Sequence, residues 1–282
     1  MKKKILPIAA ILILIAAVSV FLYPTVSQWI NAMYSQNEIT HYNDTVDTLS
    51  DMEKAVLFQQ AEEYNRGLNQ NVSDSFSPEA FVSDEKYLSI LNVTENGQIG
   101  TVNIPSIDCS LPIYHSGEAD MLTKGAVHLA GTAFPIGGES SYSIISAHTA
   151  YPGKIFFDRL TDVEIGDEFS ITVLGDTLYY KCIDINVVLP SDTTHLGVEK
   201  GRDLVTLVTC TPYSVNTHRL LVTGERIEKK ELSVGSTADE APAEHQYNRF
   251  ADVNIVPAII VVAAIAVIVP IAVWRRRRKH EA

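Results

Sequence analysis

Cysteine is scarce: only Cys109, Cys182 and Cys210 occur in 282 residues. An odd, small number excludes a disulfide-stapled scaffold, because at least one thiol stays free. Cys109 falls on the apolar side of the alternation Ile107, Cys109, Leu111, Ile113, and Cys182 lies mid-run between Tyr179 and Val188. Both read as buried filler, and their spacing decides neither for nor against a bond between them. Positive charge is also short, with 22 basic against 34 acidic residues. Eight of the basic residues sit at the ends, Lys2 to Lys4 and Arg275 to Lys279, leaving 14 against 33 acidic residues in the body between. Such a body repels phosphate backbones, which argues against nucleic acid as a partner. No His or Cys spacing suits metal ligation, so neither a metal nor any other cofactor is expected.

Proline is missing from Thr25 to Leu68, a stretch rich in Gln, Glu, Asn and Ala with Trp29, Ile30, Met33 and Tyr34 at helical spacing. Two helices are predicted there, broken near Ser50-Asp51, with Ser50 and Glu53 forming a capping box and Gly67 stopping the second. Charge is absent from Ile5 to Leu22, a run of 18 residues, or about 27 Å as a helix, enough to span a bilayer. Its length favours an uncleaved anchor, cleavage as a signal segment being the alternative. Ile255 to Trp274 is a second apolar span, followed by Arg275-Arg276-Arg277-Arg278-Lys279. Basic flanks stay on the cytoplasmic side, so both termini are expected inside and a single ectodomain outside.

Between about Ile90 and Arg226 the pattern changes to short β-rich runs parted by Gly, Pro, Asn and Asp. They are Gln98 to Ile104, Ile107 to Tyr114, Ala126 to Ala130, Tyr142 to His148, Glu168 to Leu174, Leu178 to Leu189, Leu204 to Thr209 and His218 to Ile227. Eight short strands with few helices imply a closed barrel or a sandwich. Gly175-Asp176 is a hairpin-turn signal. Residues 229–254 are acidic and aperiodic, and read as a tether to the second span.

The last two strands carry a candidate site. Cys210 ends one arm of a predicted hairpin and Arg219 begins the other, with Thr211 to Asn216 as the loop. If Cys210 and Thr217 close the hairpin, Val208 lies opposite Arg219, and Arg219 stands diagonally from Cys210 on the same face, with His218 turned to the other. A cysteine nucleophile needs a base or a cationic neighbour to hold it as thiolate. Of the histidines at 41, 115, 128, 148, 195, 218, 245 and 280, His148 is best placed, at the end of the apolar strand Ser143 to Ala147. His128 reads as a wall or core histidine.

These residues also carry a resemblance. Thr206-Leu207-Val208-Thr209-Cys210 resembles the TLxTC signature of sortases, Asn216 to Val222 resembles the strand that supplies their active-site arginine, and SIISAHTAYPGKIFFDRL is similar to the segment that delivers their histidine. Sortases usually follow that histidine with Arg-Gly; this chain has Thr149 and Ala150. The resemblance implies a mainly β fold, an eight-stranded sortase barrel over 87–228, with a helical extension at 24–68, the two transmembrane helices at 1–23 and 255–274, and a basic tail at 275–282. It implies a cysteine transpeptidase: Cys210 the nucleophile, His148 the proton donor, Arg219 the oxyanion stabiliser, and Thr209 a supporting donor. The substrate implied is an LPxTG-type pilin or surface protein, cleaved between Thr and Gly and passed to an amine, at the cell membrane of a Gram-positive bacterium.

The two-span layout, the helical preface and the short loop after the cysteine are most similar to class C sortases, whose acceptor is a pilin lysine. Many of these hold a lid with an Asp-Pro-aromatic motif; here residues 69–86 contain Asp74-Ser75-Phe76. Carried over, Phe76 covers Cys210 and Asp74 pairs with Arg219. The alternatives are a sortase that attaches surface proteins to a cell-wall amine, and a catalytically inactive membrane-tethered binding protein. A papain-like protease fits worse, because its cysteine begins a helix and Cys210 ends a strand.

Overall fold

The computed structural model describes residues 2–68, 76–77, 84–117 and 120–228. The expected tether, second span and basic tail lie outside the described residues, as does Asp74. Helix α1 (Lys2–Asp47) is continuous and passes through Pro24, so the first span and the helical preface share one element. From Ile13 on it contains a stretch long and apolar enough to cross a membrane, by length and composition, and none of that stretch is buried. The part up to Ile30 belongs to one compact unit, and the chain from Asn31 belongs to another that carries the barrel.

Helix α2 (Asp51–Arg66) starts where the capping box predicts. Ser50 Oγ accepts the Glu53 N–H at 3.3 Å, and Glu53 Oε2 accepts the Ser50 N–H at 2.8 Å, which satisfies two amides the first turn leaves unpaired. Gly67 ends the helix at φ −84°, so the left-handed freedom of glycine is not used. A short helix, α3 (Glu85–Ser89), capped by Asp84, follows; five residues are too few for periodicity to reveal.

Eight strands close into a barrel in the order β1-β2-β3-β4-β7-β8-β6-β5: β1 (Gln98–Ile104), β2 (Cys109–His115), β3 (Ala126–His128), β4 (Ser141–Ser146), β5 (Glu168–Val173), β6 (Asp176–Val188), β7 (Asp203–Thr211) and β8 (His218–Ile227). β2–β3 and β4–β7 are parallel; the other pairs are antiparallel. The tight turn between β5 and β6 is Leu174-Gly175, at φ 50° and 92°, with Asp176 already paired to Val173. Two positive φ values in a two-residue loop match the twist of the flanking strands. On β8, Gly224 must lack a side chain: a Cβ there would sit 2.4 Å from the Phe169 ring, which stacks on Tyr180 at 5.5 Å.

The helical preface is fastened to the barrel by hydrogen bonds, those of Tyr42 buried and those of Asn65 partly so. The Tyr42 hydroxyl, wholly buried, donates to Ile99 O at 2.8 Å and accepts from Leu174 N at 3.2 Å, joining β1 to the β5–β6 turn. Burial pushes this phenol up to about 12. The Asn65 amide imitates a strand, donating to Phe134 O at 3.1 Å and accepting from Phe134 N at 2.8 Å.

Beneath α3, Tyr87, His115, His128 and Phe134 form a buried aromatic cluster. His115 Nε2 lies 2.8 Å from Ile90 O and Nδ1 3.0 Å from Gly97 O; His128 Nε2 lies 2.9 Å from Ala133 O. His128 is thus a core histidine, as its sequence context suggests. Burial lowers His115 to about 4 and His128 to about 3, against an ordinary value near 6.5.

Both depressed values have one consequence for stability. Below pH 6.5 the unfolded chain takes up protons that the folded chain refuses, so stability falls with pH by about 1.4 kcal/mol per unit for each histidine. The denaturant midpoint of the full chain is expected to decline between pH 6.5 and 4.5, and less steeply in His128→Gln than in the native protein. Parallel declines in the two proteins would contradict this assignment.

Candidate active site

Strand β7 sets the positions of all three expected site residues, because it pairs with β4 on one side and β8 on the other. The parallel β4–β7 register runs from Ser141 opposite Asp203 to Ser146 opposite Val208, and Ala147 N continues it by donating to Val208 O at 3.1 Å. Extending that register brings His148, two residues beyond the end of β4, level with Cys210. On the other side Cys210 pairs directly with Arg219, and Thr211 with His218. The sequence reading put Val208 opposite Arg219; the observed register differs by two residues. β7 runs on to Thr211, and the connecting loop closes on itself instead, with Val215 N and Asn216 N both donating to Pro212 O at 2.9 and 3.0 Å. A shift of two leaves each side chain on its predicted face and exchanges the diagonal for a directly opposed pair, the closer arrangement. Cys210 is 8% exposed and His148 is half-buried.

Thr209, expected to support an oxyanion, spends its hydroxyl elsewhere: Oγ1 donates to Ala147 O at 2.8 Å. It points away from the Cys210 face and locks β7 to the residue that precedes His148. The Arg219 guanidinium donates through Nη1 to Asn216 O and His218 O, each at 3.2 Å, which fixes its direction at the loop.

Phe76 packs against two of the expected site residues. Its ring centroid lies 5.5 Å from that of His148, and Arg219 Cζ stands 5.0 Å over its face, a cation–π distance. One ring therefore touches two of the three polar residues, while packing against the cluster that contains Val208 and Val188. His148 also stacks on Tyr151 at 5.3 Å and 26°. Sequence reading singled out neither Tyr151 nor Asp158, because both lie in an aperiodic loop. Burial lowers the His148 imidazole, and the negative charge of Asp158 partly offsets this. Cys109 and Cys182 are free and buried, and burial pushes both thiols up, Cys109 to about 12, so neither supplies thiolate near neutrality.

The Sortase domain family model matches residues 102–227. Among solved structures the chain is similar to sortase C-1 from Streptococcus pneumoniae, at 35% identity and a TM-score of 0.64 over 69% of this chain and 100% of that one. It is also similar to the pilus-related sortase C of Group B Streptococcus, at 38% identity and a TM-score of 0.61 over 66% of this chain and 94% of that one. Sortase D of Bacillus subtilis (strain 168) is 27% identical over 137 residues, 47% of this chain; the chain spans 66% of that protein, just under two thirds.

A ring laid over the imidazole and the guanidinium should slow access to the sulfur between them. Phe76→Ala is expected to raise severalfold the rate at which a bulky maleimide labels Cys210, read by mass on the Cys210 peptide. An unchanged rate would show that Phe76 does not cover the thiol.

Proposed function

Because the chain belongs to the sortase family, a family of transpeptidases, we propose that it is a pilus-assembling enzyme of the class C type, acting through a thioacyl intermediate on Cys210. The observation that carries this reading is the placement of Cys210 directly opposite Arg219 on β8, with His148 brought level by the β4 register. The Cys210 thiolate attacks the threonyl carbonyl carbon of an LPxTG-like sorting signal. Negative charge moves to the carbonyl oxygen, where Arg219, always cationic, stabilises it. The tetrahedral species collapses, the Thr–Gly bond breaks, and His148 gives its proton to the departing glycyl amine. A lysine amine of the next pilin then attacks the thioester and loses a proton to His148. An isopeptide bond forms and the sulfur leaves as thiolate. Proton positions belong to the His148–Cys210 pair jointly.

Phe76 serves as the lid in this reading, and substrate displaces it before the thiol can react. The similarity to pilus-related sortase C supports a pilin lysine as acceptor, over the cell-wall amine of the other reading. The apolar stretch of α1 supports membrane attachment; in this reading the barrel stands outside a Gram-positive cell and, with the expected second span, both termini lie inside.

With a synthetic LPxTG-type peptide, the full chain in detergent should accumulate a thioester on Cys210 visible as a mass increment that hydroxylamine removes. The increment should vanish in Cys210→Ala and form about 100-fold more slowly in Arg219→Ala, the usual size of a lost oxyanion donor. Absence of any adduct on Cys210 of the native chain, with the peptide uncleaved, would reject the transpeptidase reading. Pilin lysine and peptidoglycan amines, offered together, should yield mainly the pilin conjugate.

A further inference from the structure

The segment from Thr149 to Phe157, which follows His148, is organised around a single carboxylate. Asp158 Oδ1 accepts the Ala150 N–H at 3.0 Å and Oδ2 accepts the Phe156 N–H at 2.8 Å, so its two oxygens hold both arms of the loop. Phe157 N donates to His148 O at 3.0 Å, which ties the histidine backbone to the same end. Between the clasped arms lies Tyr151, stacked on the imidazole, with Phe156 against Tyr151 at 6.1 Å. Ala150 sits at φ 57°, a left-handed conformation that is strained for residues other than glycine, and its amide is the one Asp158 Oδ1 holds.

The charged and titratable groups around the imidazole can be named element by element. The β4–β7 register brings Cys210 alongside, and Arg219 stands over the Phe76 ring that packs against the imidazole. From the loop, Lys154 stands over the Tyr151 and Phe156 rings and donates to Thr123 O. Arg159, next to Asp158, is committed to Asp108, Asp162 and Ile107 O. Among the described residues, the carboxylate whose charge acts on His148 is Asp158.

We propose that Asp158 is the positioning residue of His148: its carboxylate clasps Ala150 and Phe156 so that imidazole and Tyr151 stay fixed beside Cys210. The role extends the transpeptidase reading and depends on it for its meaning in catalysis. Its test does not, because alkylation of Cys210 by iodoacetamide reports the sulfur–imidazole pair with no peptide present. A lone thiolate forms at higher pH than one paired with an imidazolium. Withdrawing the Asp158 charge disfavours that partner.

In Asp158→Asn the midpoint of the alkylation rate against pH, measured on the Cys210 peptide of the full chain, is expected to rise by about half a unit or more. With peptide substrate, kcat should fall about tenfold while KM stays within about twofold, as for a group acting after binding. Asp158→Ala combined with Ala150→Gly relieves the strained backbone and guards against a collapsed loop. It should recover part of the rate without restoring the midpoint, while Asp158→Glu keeps the native midpoint. A midpoint unmoved in both charge-removing variants would overturn the proposal. An unmoved midpoint with a working thioester would sink the Asp158 role alone; a missing thioester with a shifted midpoint would sink the transpeptidase reading alone.

Discussion

The pairing of β7 with two neighbours of opposite sense is the constraint on which the site depends. Parallel contact with β4 and antiparallel contact with β8 mean that a slip of either ladder would carry His148 or Arg219 away from Cys210. Side chains guard the register. The Thr209 hydroxyl crosses to Ala147 O, and Thr206 is bonded to Thr223 on one side and Tyr142 on the other at 2.9 and 3.0 Å. Thr209 stands on the face away from Cys210, whereas Thr206 shares the Cys210 face two pairs further along the strand, so the ladder is held from both faces. A buried hydroxyl without a partner costs about 1–3 kcal/mol, so shifting this ladder would leave several such groups stranded.

Much of this was legible from the order of residues. The bounds read for β1 and β8 coincide with those observed, because alternation and β-branched residues state them plainly, and the Ser50–Glu53 box announces the start of α2. What escaped reading was turn chemistry. The loop after Thr211 closes through Pro212 O, which sets the hairpin register two residues from the expected one, and no periodic signal in Pro212 to Thr217 reveals that closure. Tyr151 and Asp158 were missed for the same reason, since a loop's hydrogen bonds run through backbone amides that every residue type supplies.

Phe76 joins sequence and structure differently. The family resemblance pointed to Phe76 as a cover for Cys210, and the ring packs against His148 and Arg219. With Tyr151 stacked on it as well, the imidazole packs against two aromatic rings, which desolvates part of it. Such confinement favours the neutral ring, and the Asp158 charge opposes this preference.

The Tyr42 bridge bears on where the folding unit begins. The family match starts at residue 102, yet the hydroxyl that ties Ile99 to Leu174 comes from a helix some sixty residues earlier in the chain. A barrel cut free of that helix would bare the Ile99 carbonyl, the Leu174 amide and an apolar wall to water. The preface from Asn31 on thus belongs to the same compact unit as the barrel, and the family match from residue 102 covers only part of that unit.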